Sequence, residues 1–209
     1  ETRLRPDCFY EFSVQNPSYQ FLFVNDGSSD RTVDVLRGLE ARAPERLCCL
    51  ELPVNVGKAE AVREGVLKAL EDKPFAVAFW DADLATPLSE LLAFVEVLDS
   101  RPAVELVAGS RVKLMGHLIE RKATRHLSGR VFATMASLTL NLPFYDTQCG
   151  AKMFRVTEVT ESLFSQPFGS RWLFDVELCA RLVRARGREA MATAIFEYPL
   201  LEWLDVDGS

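Results

Sequence analysis

Histidine is scarce in this chain of 209 residues, which holds only His117 and His126, so a zinc site built on imidazoles is not expected. The five cysteines (Cys8, Cys48, Cys49, Cys149 and Cys179) show no C-x-x-C spacing, and full pairing would leave one over. Reduced, cytoplasmic surroundings are the simpler expectation from that pattern. Basic residues are outnumbered, 24 against 30 acidic ones, and the net charge of −6 speaks against a nucleic-acid partner. No G-x-G-x-x-G follows a strand-like run, which disfavours a nicotinamide-dependent dehydrogenase. The chain opens on the charged stretch Glu1 to Asp7 with no apolar run behind it, so no signal peptide is read there. The longest apolar-rich stretch without a charge is the fifteen residues from Val131 to Tyr145. It is shorter than the ~20 residues of a membrane-spanning helix. It also carries Thr134, Ser137, Thr139, Asn141 and Pro143, so a buried or interfacial helix is expected. Internal repeats and low-complexity segments are absent.

What is present is a folded domain: 48% hydrophobic and 26% charged residues suit one soluble unit over 1–209. Strand-like runs at Tyr19–Asn25, Leu47–Leu52, Phe75–Trp80 and Val104–Ala108 alternate with helical patterns at 33–43, Ala59–Leu70 and Pro87–Leu98. That alternation predicts an α/β fold with a mainly parallel sheet. Phe75–Trp80 is uniformly apolar and predicts a strand buried on both faces. Further on, His117–Leu142 reads as mostly helical and Thr147–Phe154 as strand or extended. Val156–Phe164 and Phe174–Arg186 read as helices and Ala192–Leu201 as a late strand. At the amino end Cys8–Val14 reads as a helix or an irregular entry rather than as a strand.

The chemistry concentrates where strands end. Phe75–Trp80 runs into Asp81-Ala-Asp83, two carboxylates one residue apart. Like charges so placed repel unless a cation lies beside them, and hard oxygen ligands suit Mg2+ or Mn2+. A bare D-x-D also reads as an ordinary Asp-rich turn. Three more segments fall at comparable places: Asn25-Asp26-Gly-Ser-Ser-Asp30, Asn55-Val-Gly-Lys58 at a helix start, and Gly109-Ser-Arg111. In an open α/β sheet such ends face one crevice.

These four segments resemble the nucleotide-sugar glycosyltransferases of family 2, of the inverting GT-A type. Asp146-Thr-Gln-Cys-Gly-Ala-Lys-Met-Phe-Arg155, Arg171-Trp-Leu-Phe-Asp-Val-Glu177 and Glu202-Trp-Leu-Asp-Val-Asp-Gly-Ser209 resemble the polyprenyl-phosphate branch, glucosyl- and mannosyltransferases of dolichyl phosphate included. The resemblance covers roughly residues 20–209. It implies a GT-A fold with a donor-binding half at 20–112 and an acceptor-binding half at 113–209. The nucleotide-sugar donor would be UDP-glucose or GDP-mannose. The acceptor would be a dolichyl or undecaprenyl phosphate at the cytoplasmic face of a membrane, with the protein held there peripherally.

For single residues the resemblance implies Asp83 as a metal ligand and catalytic group, and Asp81 on the metal or the ribose. Asp26 would sit near base or ribose, and Lys58 would add charge near the nucleotide. Each also has a plainer role, Asp26 as a helix cap and Lys58 as a solvated surface group. Arg111, Arg125 and Arg130 are candidates for phosphate contacts. The cluster Arg121–Arg130 that holds the last two is equally a solvated helix face. Asp146 resembles the position near the reacting centre. Of Asp175 and Glu177, at i and i+2, at most one is expected to enter the site, and Asp175 is the candidate. Gln148 is a substrate-binding candidate with Lys152 behind it, and Trp172 is expected to be a packing residue. Ala85, where some mannosyl-transferring relatives carry Gln, leans towards glucose, and Asn25 stands where many relatives have Asp. The chain is expected to lack the family's first strand and its C-terminal end. Two alternatives stay open: a polysaccharide-building transferase acting on a sugar hydroxyl, and a silent nucleotide-sugar-binding module.

Overall fold

A computed structural model describes residues 3–120 and 142–206. The order is α1 (Pro6–Gln15), β1 (Phe21–Asp26), α2 (Thr32–Arg42), β2 (Leu47–Leu52), α3 (Lys58–Leu70), β3 (Ala76–Trp80), α4 (Glu90–Ser100), β4 (Leu106–Ser110) and β5 (Leu118–Glu120). After the gap come β6 (Ala151–Arg155), α5 (Glu158–Phe164), α6 (Phe174–Arg186), α7 (Arg188–Ala194), β7 (Ile195–Pro199) and β8 (Glu202–Leu204).

Among the described residues the strands form three groups. β1 and β2 pair in parallel, β3, β6, β4 and β7 make a four-stranded sheet in that order, and β5 pairs in parallel with β8. Within the larger sheet β4 and β7 are parallel, while β6 lies antiparallel between β3 and β4. β6 starts opposite the end of β3, with Ala151 facing Trp80. Asp146 to Gly150 therefore reach the same rim at which β3 and β4 finish. Helix α3 packs against both β1 and β3 and ties the two sheets together.

Apolar side chains on opposite faces of the four-stranded sheet enter different cores. Val77, Phe79, Leu106, Ala108 and Phe154 join Phe164, Phe174, Leu178 and Leu182 from α5 and α6. Val107, Ala151 and Met153 join Leu91, Phe94 and Leu98 of α4, with Phe9, Leu39 and Leu47. The result is a sheet between two helical layers, which buries both sheet faces as an α/β fold requires. β4 is buried along its whole length.

β3 departs from the expectation of burial on both faces. Val77 and Phe79 are buried, but Ala76, Ala78 and Trp80 are half-buried and Phe75 is 51% exposed. Its hydrogen-bonded neighbour among the described strands is β6 alone, so β3 is not enclosed as β4 is. α4 begins at Glu90 and not at Pro87, because 87–92 enters through i→i+3 bonds such as Glu90 N–H to the Pro87 carbonyl at 3.2 Å. The late strand is shorter than expected. Ala192–Ala194 finish α7, whose Glu-Ala-Met-Ala run favours helix. Leu200 and Leu201 then leave the sheet as the Glu90 carboxylate takes the Leu201 N–H at 2.7 Å. His117–Leu142 is not helical where it is described, since Leu118–Glu120 is strand. Arg125, Arg130, the cluster around them and all but the last residues of the Val131–Tyr145 stretch lie outside the described residues. Cys8–Val14 is helical, as part of α1.

Candidate active site

The rim of the sheets gathers the sequence-identified carboxylates through a relay of polar contacts. At the end of β1 the Asp26 carboxylate accepts the N–H groups of Val56 at 2.7 Å and Gly57 at 2.9 Å. Asn55 Nδ2 donates to the Asp26 carbonyl at 2.9 Å. Asp26 thus pins the loop that leads into α3, about thirty residues on, and is not the cap of α2 or α3. The nearby α2 takes its local help from Asp30, whose Oδ1 accepts the Thr32 N–H at 3.0 Å. The next residue of that loop, Lys58, reaches across to Asp81 at 2.6 Å. Both side chains keep over a third of their surface in water, at 42% and 36%. The 55–58 loop therefore joins Asp26 to Asp81 and places the ends of β1 and β3 in one neighbourhood.

Asp81 lies on Gly150. A Cβ at position 150 would stand 1.9 Å from Asp81 Oδ2, so any side chain there would expel the carboxylate. The chain beyond β3 turns tightly: Leu84 N–H donates to the Asp81 carbonyl at 3.1 Å and Ala85 N–H to Asp83 Oδ1 at 3.0 Å. Leu84 takes a positive φ of 55°, and Trp80 Nε1 donates to the Thr86 carbonyl at 2.8 Å to close the loop. Asp81-Ala-Asp83 is an Asp-rich turn by geometry, and that turn holds two half-exposed carboxylates at the rim.

At the end of β4, Arg111 grips Asp146. Nε and Nη2 each donate to one carboxylate oxygen at 2.7 Å, and the Arg111 backbone N–H adds a bond of 3.1 Å. Burial by itself would lower the Arg111 pKa, but Asp146 outweighs it and the net shift is upward. Cys149 and Asp81 add smaller contributions of the same sign, which puts Asp81 within electrostatic reach. The guanidinium also lies over the Trp203 ring at 5.3 Å. Two residues expected to meet substrate separately are therefore each other's partners.

Sequence reasoning missed Glu197 on β7. Its Oε2 and Oε1 accept the N–H groups of Tyr145 and Asp146, each at 2.8 Å, which fixes the backbone that carries Asp146. Burial raises its pKa despite those bonds. The one available signal was a carboxylate in the middle of the apolar strand Ile195-Phe-Glu-Tyr-Pro199.

Asp175 stands differently from the catalytic part expected of it. Its side chain is 10% exposed and accepts from Lys152 Nζ at 2.6 Å. Lys152 is wholly buried, also donates to the Cys149 carbonyl at 2.6 Å, and lies 5.4 Å from the Phe79 ring centre. Desolvation would lower its pKa, and the Asp175 charge reverses that into a rise. Glu177 diverges from Asp175, as i and i+2 should. It accepts from Arg181 at 2.7 Å and from the Gly169 N–H at 2.9 Å. Trp172 is not a packing residue: it is 76% exposed. Its neighbour Arg171 runs along Gly57, where a Cβ would come within 3.2 Å of Arg171 Cδ. Gln148 is half-buried, two residues beyond Asp146. All five cysteines are free thiols.

The sequence model of the family described as glycosyl transferase family 2 matches residues 7–160. The chain belongs to that family. Relatives include the dolichyl-phosphate beta-glucosyltransferase of Drosophila melanogaster, 33% identical over 201 residues, covering 93% of this chain and 58% of that protein. A dolichyl-phosphate beta-glucosyltransferase of Trichomonas vaginalis is 31% identical over 202 residues, covering 95% and 58%. The chain thus spans a little over half the length of these curated relatives. Among solved structures, glucosyl-3-phosphoglycerate synthase from Mycobacterium tuberculosis, in complex with Mn2+, UDP-glucose and glycerol 3-phosphate, aligns with a TM-score of 0.63. It is 17% identical and covers 97% of this chain and 70% of the other, a likeness of fold, the GT-A fold.

The residues present offer a divalent cation two carboxylates, Asp81 and Asp83. Among the described residues no three His, Cys, Asp or Glu side chains gather as a complete ligand set. Asp83 receives one hydrogen bond, at Oδ1, and Asp81 is neutralised at Oδ1 by Lys58. Two carboxylates of this kind suit a hard cation that takes its remaining ligands from water and a substrate diphosphate.

Proposed function

We propose that this chain is the catalytic domain of an enzyme that transfers a hexose, with inversion, from a nucleotide-diphospho-sugar to a polyprenyl phosphate. UDP-glucose is favoured over GDP-mannose as donor. The observation that carries the reading is the joining of Asp26, Lys58, Asp81 and Arg111–Asp146 at one rim of the sheet. The names of the curated relatives and Ala85 lean the same way. Residues 20–112 would form the donor half and 113–209 the acceptor half. Lys58 would meet the negative charge of the nucleotide, and Asp83, with Asp81, would hold the cation, Mg2+ or Mn2+. Bound there, such a cation supplies Lewis-acid stabilisation of the departing diphosphate. Lys58 can exchange Asp81 for a diphosphate oxygen, since a part-exposed ion pair is worth little.

In the transfer an oxygen of the acceptor phosphate attacks the anomeric carbon. The bond from that carbon to the diphosphate oxygen breaks, and its electron pair leaves with the nucleotide. A phosphate monoester, with a second pKa of about 6, is largely ionised at neutral pH. It therefore needs no strong general base. That matches the engagement of Asp175 with Lys152 and of Glu177 with Arg181, which leaves neither α6 carboxylate placed to take a proton. A transferase acting on a sugar hydroxyl would need such a base, and this is why that alternative is disfavoured here.

No helix among the described residues is long and apolar enough to cross a membrane. Peripheral attachment at the cytoplasmic face is the corresponding part of the proposal. The decisive assay offers radiolabelled UDP-glucose with polyprenyl phosphate and, separately, with an oligosaccharide. Label in an organic-soluble lipid phosphate product supports the reading. Label in the oligosaccharide alone overturns it.

A further inference from the structure

Four of the large exposed apolar side chains belong to one neighbourhood at β5: Leu114, Met115 and Leu118 in the segment that leaves Arg111, and Leu201 from the link between β7 and β8. Leu114 is 46% exposed, Leu118 51% and Leu201 54%, and Met115 is wholly exposed. The segment is held firmly. His117 N–H donates to the Leu114 carbonyl at 3.1 Å and closes a four-residue turn. Gly116, third in that turn, takes the positive φ of +84° that a type II turn requires there. Leu118 N–H donates to the Leu201 carbonyl at 2.8 Å, and His117 Nδ1 lies 2.8 Å from the Leu200 carbonyl. Beneath this surface Ile119, Leu200 and Trp203 are buried and supply the packing. The outer residues take little part in that core, so the fold alone gives no reason for four large apolar groups there.

We propose that this turn is where the protein rests on a lipid bilayer. The purpose assigned to the contact depends on the lipid-linked acceptor argued above, while the contact itself depends only on the surface described. Met115 is the second residue of the turn and is wholly exposed, which suits shallow insertion better than the seating of a partner segment. Residues 112–119 contain Lys113 and no carboxylate, while Glu120 and Glu202 share the strand face of Leu118, so the apolar turn and not net charge carries the contact. Glu202, paired with Leu118, and Glu120 mark the edge that stays in water and limit penetration to headgroup depth. The exposed parts of the four side chains amount to a few hundred Å2, well short of the ~800 Å2 per partner of a stable protein–protein contact. An apolar patch of roughly 300–600 Å2 is instead the size that is often functional on a monomer. Leu114 follows Arg111 by three residues, at most about 10 Å of chain. Docking at the turn therefore brings headgroups to the Arg111–Asp146 side of the candidate site.

The test is co-sedimentation of this chain with phosphatidylcholine–phosphatidylserine vesicles, without donor or acceptor. The native chain should pellet with the vesicles. The double variant Leu114→Ser/Met115→Ser should partition at least tenfold less, and Leu92→Ser, exposed on α4 outside the patch, should pellet like the native chain. Met115→Asp guards against a folding defect, because a wholly exposed side chain has no packing to lose, and it too should be released. A native chain that stays in the supernatant overturns the proposal, as does a double variant that pellets unchanged. So does a native dimer that the double variant converts to monomer in sedimentation velocity, which would assign the patch to a second copy. Donor binding, measured separately by thermal shift, reports on the transferase reading and not on this one.

Discussion

The carboxylates at the rim fall into two groups that look alike in sequence and differ in physical state. Asp26, Asp81 and Asp83 sit half in water, held by backbone N–H groups and by one part-exposed lysine. Asp146 and Asp175 are buried against Arg111 and Lys152, with the half-buried Glu197 behind Asp146. Partners of the first group can be exchanged for a ligand at little cost, because exposed ion pairs are weak. Partners in the second cannot be removed without leaving a charge stranded. The first group is suited to binding, and the second holds the first in register.

The largest expected effect breaks the second group. Lys152→Met or Asp175→Asn alone should lower stability by roughly 3–5 kcal/mol, since either change isolates one member of a buried pair. The double variant Lys152→Met/Asp175→Leu should recover most of that loss in a denaturant titration. If Asp175→Asn instead melts like the native chain and abolishes transfer, Asp175 belongs with the working carboxylates and the comparison fails.

Next in size, Asp83→Asn should slow transfer by about a hundredfold to a thousandfold, equivalent to roughly 2.7–4 kcal/mol of lost electrostatic stabilisation. The melting temperature should hardly move, because Asp83 is not in either core. Unfolding of this variant would make the Asp81-Ala-Asp83 turn a structural device only.

Glu197→Gln should have a smaller effect, about tenfold on transfer, the worth of one hydrogen bond of about 1–1.5 kcal/mol to the loop that carries Asp146. It also carries a pH signature. Burial raises the Glu197 pKa above 4.5, with Asp146 pushing the same way, while its hydrogen bonds and Lys152 pull it down. A raised value means the folded state holds the proton more tightly than the unfolded one. The contribution to stability is then present below pH 4.5 and lost as the pH rises through the folded value. The native-minus-variant difference in stability should therefore fall as the pH climbs from 4.5. A flat or rising difference would contradict burial as the cause.

Much of this was legible in the sequence, and the failures have physical reasons. The α/β alternation, the bounds of β2 and α6 and the gathering of strand ends follow from local periodicity and turn chemistry. The antiparallel placement of β6 is non-local and could not be read from the Thr147–Phe154 pattern. A motif shows residue types and not partners, so the pairing of Asp146 with Arg111 and of Asp175 with Lys152 is not readable from it. Lys152 lies twenty-three residues from Asp175, and Glu197 lies fifty-one from Asp146. Aromatics usually pack, which is the ground for expecting Trp172 in the core, whereas here Ser170 Oγ takes the Leu173 N–H and the indole is exposed.

The central claim is that the exposed group at the rim, Asp83 foremost, binds a nucleotide-sugar together with a divalent cation. It is tested most directly by thermal shift with UDP-glucose in Mn2+ and in EDTA. At about 100 times Kd a ligand adds about 2.7 kcal/mol, or roughly 5–10 °C for a domain of this size. The account predicts that rise in Mn2+, its loss in EDTA, and its loss in Asp83→Asn. A rise of the same size in EDTA, or in the variant, would contradict it.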